Sequence, residues 1–244
     1  MRHGSIPRIA GRSSWPGATG RGAFFCLEAI AEALHWDPSS CRVAIQGFGA
    51  AGRHLALSAV AAGYRLVAVG DSKGAVVNPA GLDPVRLLEH KRETGSVVDA
   101  PGTETIDAEA IVGVDCDVLA PAALEEAIDR HNCRRVLAHV VLEVANYPVS
   151  PAASEVLEDR GVTVVPDILA NAGGVCVSYL EWARNTGREN VSQDGVDGRL
   201  RSMMRRGTER VLRRAEEGRT SLRQAGYEIA VAAVAEAEWR RGGV

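Results

Sequence analysis

Apolar positions along this 244-residue chain change their period repeatedly, and each change marks an expected element. Across 22–36, Phe24, Leu27, Ile30, Ala31 and Leu34 recur at the spacing of a helix with one buried face. Residues 42–46 form a short apolar run and read as a buried strand. The chain then turns on glycines at 47–52. The alanine-rich stretch 50–62 predicts a second helix, and 65–70 a second strand ending at Asp71. Further helices are expected at 84–93, 124–131 and 152–160, and strands at 118–120, 136–142 and 162–166. After Pro166 the strand pattern stops, and 172–186, 192–217 and 222–240 have helical spacing. Strands that are continuously apolar, and that alternate with helices, imply a mostly parallel sheet covered on both faces. The expected class is therefore α/β with a helical C-terminal tail.

Composition narrows the function classes. The net charge is −3, so nothing global draws the chain to nucleic acid or to anionic lipid. Aromatic residues are 5%, which disfavours a surface for stacking bases. Cys26, Cys41, Cys116, Cys133 and Cys176 are odd in number and widely spaced, unlike zinc or redox motifs. They read as small buried hydrophobes in a reducing compartment. The N-terminus has no apolar stretch of signal-peptide length, and no run approaches membrane-spanning length. These features point to a cytoplasmic protein with no membrane partner, no nucleic-acid partner and no metal site. His3, His35, His54, His90, His131 and His139 show no ligand spacing. Seven arginines between 199 and 214 could suggest a nucleic-acid helix. However, Leu200, Met203, Met204, Val211 and Leu212 recur at helical spacing there, so the arginines read as the solvated face of an amphipathic helix. Asp115 and Asp117 bracket a strand start and read as caps rather than a catalytic pair. Glu181 and Trp182 follow a glycine pair, where packing and function are equally open.

The glycine turn carries the first chemical signal. Gly47-Phe48-Gly49-Ala50-Ala51-Gly52 lies between a strand and a helix, the setting of a dinucleotide fingerprint. Gly47 permits the tight turn, Gly49 lets backbone approach a diphosphate, and Gly52 lets helix and strand pack closely. The helix starting near Ala50 presents free N–H groups and its positive dipole end to the phosphates. Asp71 lies nineteen residues beyond Gly52, where a carboxylate can accept hydrogen bonds from an adenosine ribose. Its charge would repel a 2′-phosphate, which favours NAD over NADP, and nearby Lys73 softens that preference. The fold expected is a Rossmann-type doubly wound sheet. Residues 1–21 form an irregular arm, 22–190 the dinucleotide-binding domain, and 191–244 the helical tail.

Longer motifs narrow the reading. They include Ala18-Thr19-Gly20-Arg21-Gly22, Val43-Ala44-Ile45-Gln46-Gly47-Phe48-Gly49, Gly70-Asp71-Ser72-Lys73-Gly74 and the stretch from Leu88 to Val97. Most specific is Val165-Pro166-Asp167-Ile168-Leu169-Ala170-Asn171-Ala172-Gly173-Gly174-Val175, followed by Ser178-Tyr179-Leu180-Glu181-Trp182. From about residue 4 to residue 241 the chain resembles the C-terminal, cofactor-binding domain of the glutamate/leucine/phenylalanine/valine dehydrogenases, and is most similar to glutamate dehydrogenases. That family oxidises an α-amino acid to a 2-oxo acid and ammonia, passing hydride to a nicotinamide. The resemblance implies that Thr19 bonds the nicotinamide carboxamide. It implies that Gly47 to Gly52 hold the diphosphate, that Asp71 and Ser72 meet the ribose, and that Ala122 and Ala123 line the adenosine side. Asn146 and Asn171 would contact the nicotinamide riboside, and Val175 and Ser178 would face the substrate side chain.

The same resemblance implies what this sequence lacks. Family members carry a separate N-terminal domain with a lysine that activates the attacking water, an aspartate that relays protons, and a lysine that binds the substrate carboxylate. None of these motifs occurs here. A lysine of lowered pKa beside an acid is the core of this chemistry, so no catalytic residue is assigned. The family's Arg and Glu before the matching Thr are here Trp15 and Gly17. Its Glu-Gly-Ala-Asn-Gly-Pro is Glu143-Val144-Ala145-Asn146-Tyr147-Pro148, with two glycines replaced by Val144 and Tyr147. Such glycines usually allow close approach or positive φ. The sequence therefore leaves several readings open. One is a truncated cofactor domain, completed by upstream sequence or by a separate chain supplying the N-terminal domain. The others are a dinucleotide-sensing pseudoenzyme, a regulatory or assembly subunit, and a dehydrogenase with a remodelled pocket.

Overall fold

A computed structural model describes residues 17–186 and 195–242. Helix α1 (Ala18–Ala33) leads into strand β1 (Arg42–Gln46) and then helix α2 (Ala50–Ala61). Strands β2 (Arg65–Gly70) and β3 (Ala75–Val77) follow, then α3 (Pro84–Thr94) and β4 (Glu104–Ile106). The chain continues through β5 (Val118–Pro121), β6 (Val140–Leu142), α4 (Pro151–Asp159) and β7 (Thr163–Val165). It closes with α5 (Asp167–Ala170), α6 (Gly173–Asn185), α7 (Val196–Gly218) and α8 (Leu222–Arg240).

The seven strands form one sheet in the order β4-β3-β2-β1-β5-β6-β7. Five of them, β2-β1-β5-β6-β7, are parallel, and β3 and β4 add antiparallel edge strands beside β2. Successive side chains of a strand face opposite sides, and here both sides are buried. Val43, Ile45, Val118, Ala120, Val140 and Leu142 face the layer of α1, α2, α6 and α7. Ala44, Leu119 and Val141 face the opposite layer, built from the 3-10 turn Ala108–Gly113 and α4. The expected α/β class is what the continuous apolar strands produce.

Several local expectations need correction. The first helix begins at Ala18 rather than 22, capped by Gly17 in a left-handed conformation at φ +86°, and ends at Ala33. Residues 1–16, including Trp15, lie outside the described residues, as do 192–194 of the expected 192–217 helix. No helix forms over 124–131. Asp129 Oδ1 accepts the His131 and Asn132 amides, and Asn132 Oδ1 accepts the Asp129 amide. Side chains that satisfy nearby backbone compete with helix formation. Leu124 is exposed, while Ile128 bridges Val149 in extended form. The expected strand over 136–142 shortens to Val140–Leu142, preceded by a 3-10 turn at Cys133–Arg135.

Helix α7 is bound into the body. Its Leu200, Met204, Val211 and Ala215 are buried in the main core, and Thr208 donates to the Cys26 sulfur of α1 at 3.3 Å. Its arginines pair with acids: Arg201 with Glu28, Arg205 with Glu32, and Arg214 with Glu228. Arg201 also stacks over the Phe25 ring at 5.7 Å. Asp115 and Asp117 serve β1, where Asp117 accepts the Arg42 amide at 2.7 Å and both carboxylates bind its guanidinium. Four cysteines are buried and Cys176 is half-buried. Among the described residues no helix is long and apolar enough to cross a membrane, and no group of acids, histidines and cysteines is arranged to hold a metal.

Candidate dinucleotide site at the carboxyl edge of the sheet

Parallel strands end together, and the loops after them open a crevice where the strand order reverses. Here that point lies between β1 and β5. The turn after β1 enters it with Gly47 at φ +111°, a conformation open to glycine. A Cβ on Gly47 would also sit 2.7 Å from Ala123 Cβ, so the turn and the end of β5 touch. A Cβ on Gly52 would sit 1.8 Å from the Gly47 oxygen, so only glycine lets α2 start this close. A Cβ on Gly49 would meet nothing within 4 Å. The middle glycine therefore borders open space. No side chain caps the first turn of α2, which leaves its leading amides facing that space. Phe48 is buried in the core, so its contribution there is through backbone. Ala50 is exposed and Ala51 and Ala122 half-buried on the rim, while Gln46 Oε1 at the root is buried with no protein donor among the described residues.

At the end of β2, the Asp71 carboxylate is already engaged. It accepts Lys91 Nζ at 2.7 Å, Val97 N at 2.9 Å, Ser96 Oγ at 3.0 Å and Lys73 N at 3.0 Å. Its side chain is only 5% exposed. Burial alone would push the carboxyl up, but the Lys91 ammonium and the three other donors pull it down to about 2. Ser72 and Lys73 are exposed beside it. The corner thus holds one carboxylate and two ammonium groups. Lys91 and Ser96 carry no signal in the dinucleotide fingerprint, and sequence reading assigned neither.

The other end of the crevice is built by close helix contacts. A Cβ on Gly20 would lie 2.1 Å from the Ala51 oxygen, and one on Gly22 2.6 Å from Gly173 Cα. These approaches set α1 against α2 and α6. Thr19 consequently lies beside the start of α6, its Oγ1 within 3.0 Å of where a Cβ of Gly174 would stand. Val175 is 74% exposed, one turn from Ser178, whose hydroxyl donates back to the Gly174 oxygen at 3.0 Å. Across from them, Asn171 Nδ2 donates to Asn146 Oδ1 at 2.7 Å, joining the two asparagines. Tyr147 keeps a left-handed backbone at φ +49°, and Val144 is buried. The loop thus retains a glycine-like shape without the glycine. Its amide at Tyr147 donates to Asp167 at 2.8 Å.

Comparison with known proteins is consistent with this geometry. The sequence profile of the family described as Glutamate/Leucine/Phenylalanine/Valine dehydrogenase matches residues 11–242. The chain is 41% identical over 240 residues to "Glutamate dehydrogenase" of Thermotoga maritima, covering 98% of this chain and 58% of that protein. It is 45% identical over 222 residues to "NADP-specific glutamate dehydrogenase A1" of Halobacterium salinarum, covering 90% and 53%. The solved hetero-hexameric glutamate dehydrogenase of Thermus thermophilus, in its Leu-bound form, superposes with a TM-score of 0.86 at 35% identity, covering 96% of this chain and 56% of that one. The chain spans about half the length of the curated relatives it matches.

Proposed function

The chain belongs to the Glutamate/Leucine/Phenylalanine/Valine dehydrogenase family, and from that premise we propose that its crevice is the cofactor half of an amino-acid dehydrogenase. In this reading it seats a nicotinamide dinucleotide and does not complete substrate chemistry by itself. The observation that carries the proposal is Gly49, which borders open space at an uncapped helix start while its two partner glycines are pressed against backbone or the end of β5. The leading amides of α2 would hold the diphosphate. Ser72 and Lys73 would meet the ribose, with Asp71 fixing their loop, and Ala122 and Ala123 would line the adenosine side. Thr19, Asn146 and Asn171 would orient the nicotinamide, with Val175 and Ser178 on the substrate side. The bound cofactor would supply the hydride-accepting centre for oxidative deamination of an α-amino acid to a 2-oxo acid.

Dependence on other sequence rests on where the lysines lie. Lys73 and Lys91 are the two lysines of the sequence. Lys91 binds Asp71, and Lys73 Nζ lies 3.6 Å from where a Cβ of Gly95 would stand. Both belong to the ribose corner, leaving no lysine to activate water beside Asn146 and Asn171. An N-terminal domain, in the same polypeptide or a separate one, would supply it. Val144 and Tyr147 in place of two glycines favour a second reading, a regulatory or assembly subunit or a sensor that binds dinucleotide without turnover.

Cofactor choice follows from the same corner. Asp71 is paired with Lys91 and saturated by four donors, so its repulsion of a 2′-phosphate is offset. With Lys73 alongside, we infer that NAD and NADP are both accepted. Fluorescence titration of the purified chain should give saturable binding of NADH and of NADPH, with dissociation constants within about tenfold of each other. Glutamate alone should produce no reduced cofactor. No saturation at about millimolar cofactor would overturn the binding proposal, and turnover by the chain alone would overturn its dependence on another domain.

A further inference from the structure

Beyond the cofactor contacts, a charged chain of residues links α8 to the loop carrying Asn146. Glu143 directly follows β6 with its side chain fully buried. One carboxylate oxygen accepts Arg223 Nη2 of α8 at 2.5 Å, and the other accepts the Asp167 amide at 2.8 Å. Asp167 in turn accepts the amides of Tyr147 and Ile168, at 2.8 and 2.7 Å, and lies 3.8 Å from Arg223 Nη1. Asn146 directly precedes Tyr147, and Asn171 closes the short helix that Asp167 opens. One guanidinium thus compensates the two carboxylates on which the approach to both asparagines is hung. Arg223 also lines a cavity of about 240 Å³ with Tyr147, Tyr227, Glu155 and Glu158. The charged groups packed around Glu143 are therefore Arg223 from α8 and Asp167 from α5, with the α4 acids across the cavity.

We propose that Arg223 is a positioning residue for the nicotinamide end of the crevice, acting through Glu143 and Asp167 to hold the Asn146–Asn171 pair. The proposal rests on the cofactor reading above for what the pair contacts, but the anchoring of the loop can be measured without cofactor. A buried carboxylate that loses its cation must take up a proton or admit water. Admitted water competes for the Asp167 amide and loosens the loop at Tyr147, whereas a protonated Glu143 keeps an acceptor oxygen for that amide. Remote steering of the loop also accounts for a cation on a helix that supplies no candidate cofactor contact of its own.

The test uses the whole chain as wild type, Arg223→Met, Arg223→Lys and the double variant Glu143→Gln/Arg223→Met. At about pH 8, Arg223→Met should speed hydrogen exchange at the Tyr147 and Asp167 amides by about tenfold or more, while α3 is unaffected. The effect should shrink as pH is lowered, because burial raises the Glu143 carboxyl and without its cation it takes up a proton more readily. The double variant should return exchange to within about threefold of wild type, because no stranded charge remains at position 143 and Asp167 keeps its Tyr147 and Ile168 amides. Arg223→Lys should fall between, keeping the charge but losing the planar fork. Arg223→Met should weaken NADH by about tenfold and ADP-ribose, which lacks nicotinamide, by less than about twofold. Unchanged loop exchange in Arg223→Met, failure of the double variant to restore it, or equal loss of NADH and ADP-ribose affinity would overturn the proposal. A wild-type chain that binds neither ligand would refute the cofactor reading, while the exchange measurements would still decide the anchoring.

Discussion

Asp71 shows how a correctly located residue can have a different immediate task from the one its spacing suggests. Its position at the end of β2 was legible from its distance beyond the glycine turn. Its four donors were not, because Lys91, Ser96 and Val97 arrive from a helix end and loop 20 to 26 residues on. The carboxyl is buried, yet those donors hold it near 2 against about 3.9 in an unfolded chain. A depressed folded-state value contributes stability that is fully present above about pH 4 and lost as pH falls toward 2. Circular-dichroism melts should therefore show wild-type stability falling through that window, and Asp71→Asn should fall less steeply. Equal slopes for the two proteins would contradict this role. Glu143 and Arg223 were equally invisible as a pair, because eighty residues separate them and Arg223 carries no local motif.

Elements were legible where the pattern was long and where packing agreed with it. Strands 42–46 and 65–70 form at the expected bounds, since both lie centrally and bury both faces. The strands β3 and β4 escaped notice because three residues show no period, and they exist through pairing with β2 and with each other. The 124–131 stretch imitates a helix because Leu124, Ala127 and Ile128 stand at helical spacing, while Asp129 and Asn132 commit the backbone to turns. Glycines set the approach of α1 to its neighbours, a use that sequence reading did not assign to Gly22. A methyl there would stand 2.6 Å from Gly173 Cα, against backbone that cannot swing aside. Gly22→Ala should cost about 1–3 kcal/mol by denaturant unfolding, although alanine favours a helix more than glycine does. A neutral or stabilising result would show that α1 and α6 are not held this closely.

At the scale of the whole molecule, the two-faced sheet fixes where chemistry can occur. Both faces are covered, so the carboxyl edge is where loops after β1, β2, β5, β6 and β7 meet. The glycine turn, the Asp71 corner and the asparagine pair all fall on that edge, drawn from segments between residues 47 and 171. The helices after Pro166 are integral to this arrangement: α6 carries Val175 and Ser178, α7 packs on α1, and α8 supplies the cation that binds Glu143 beneath the loop of Asn146. The central claim is that this edge seats a dinucleotide on the turn between β1 and α2. Gly49→Leu tests it most directly, because its Cβ would meet no protein atom within 4 Å and the side chain would enter the space proposed for the diphosphate. Titration with NADH should show saturable binding to the wild type and none to Gly49→Leu up to about millimolar cofactor, with melting midpoints within about 2 °C of each other. Undiminished binding by the equally stable variant would contradict the assignment.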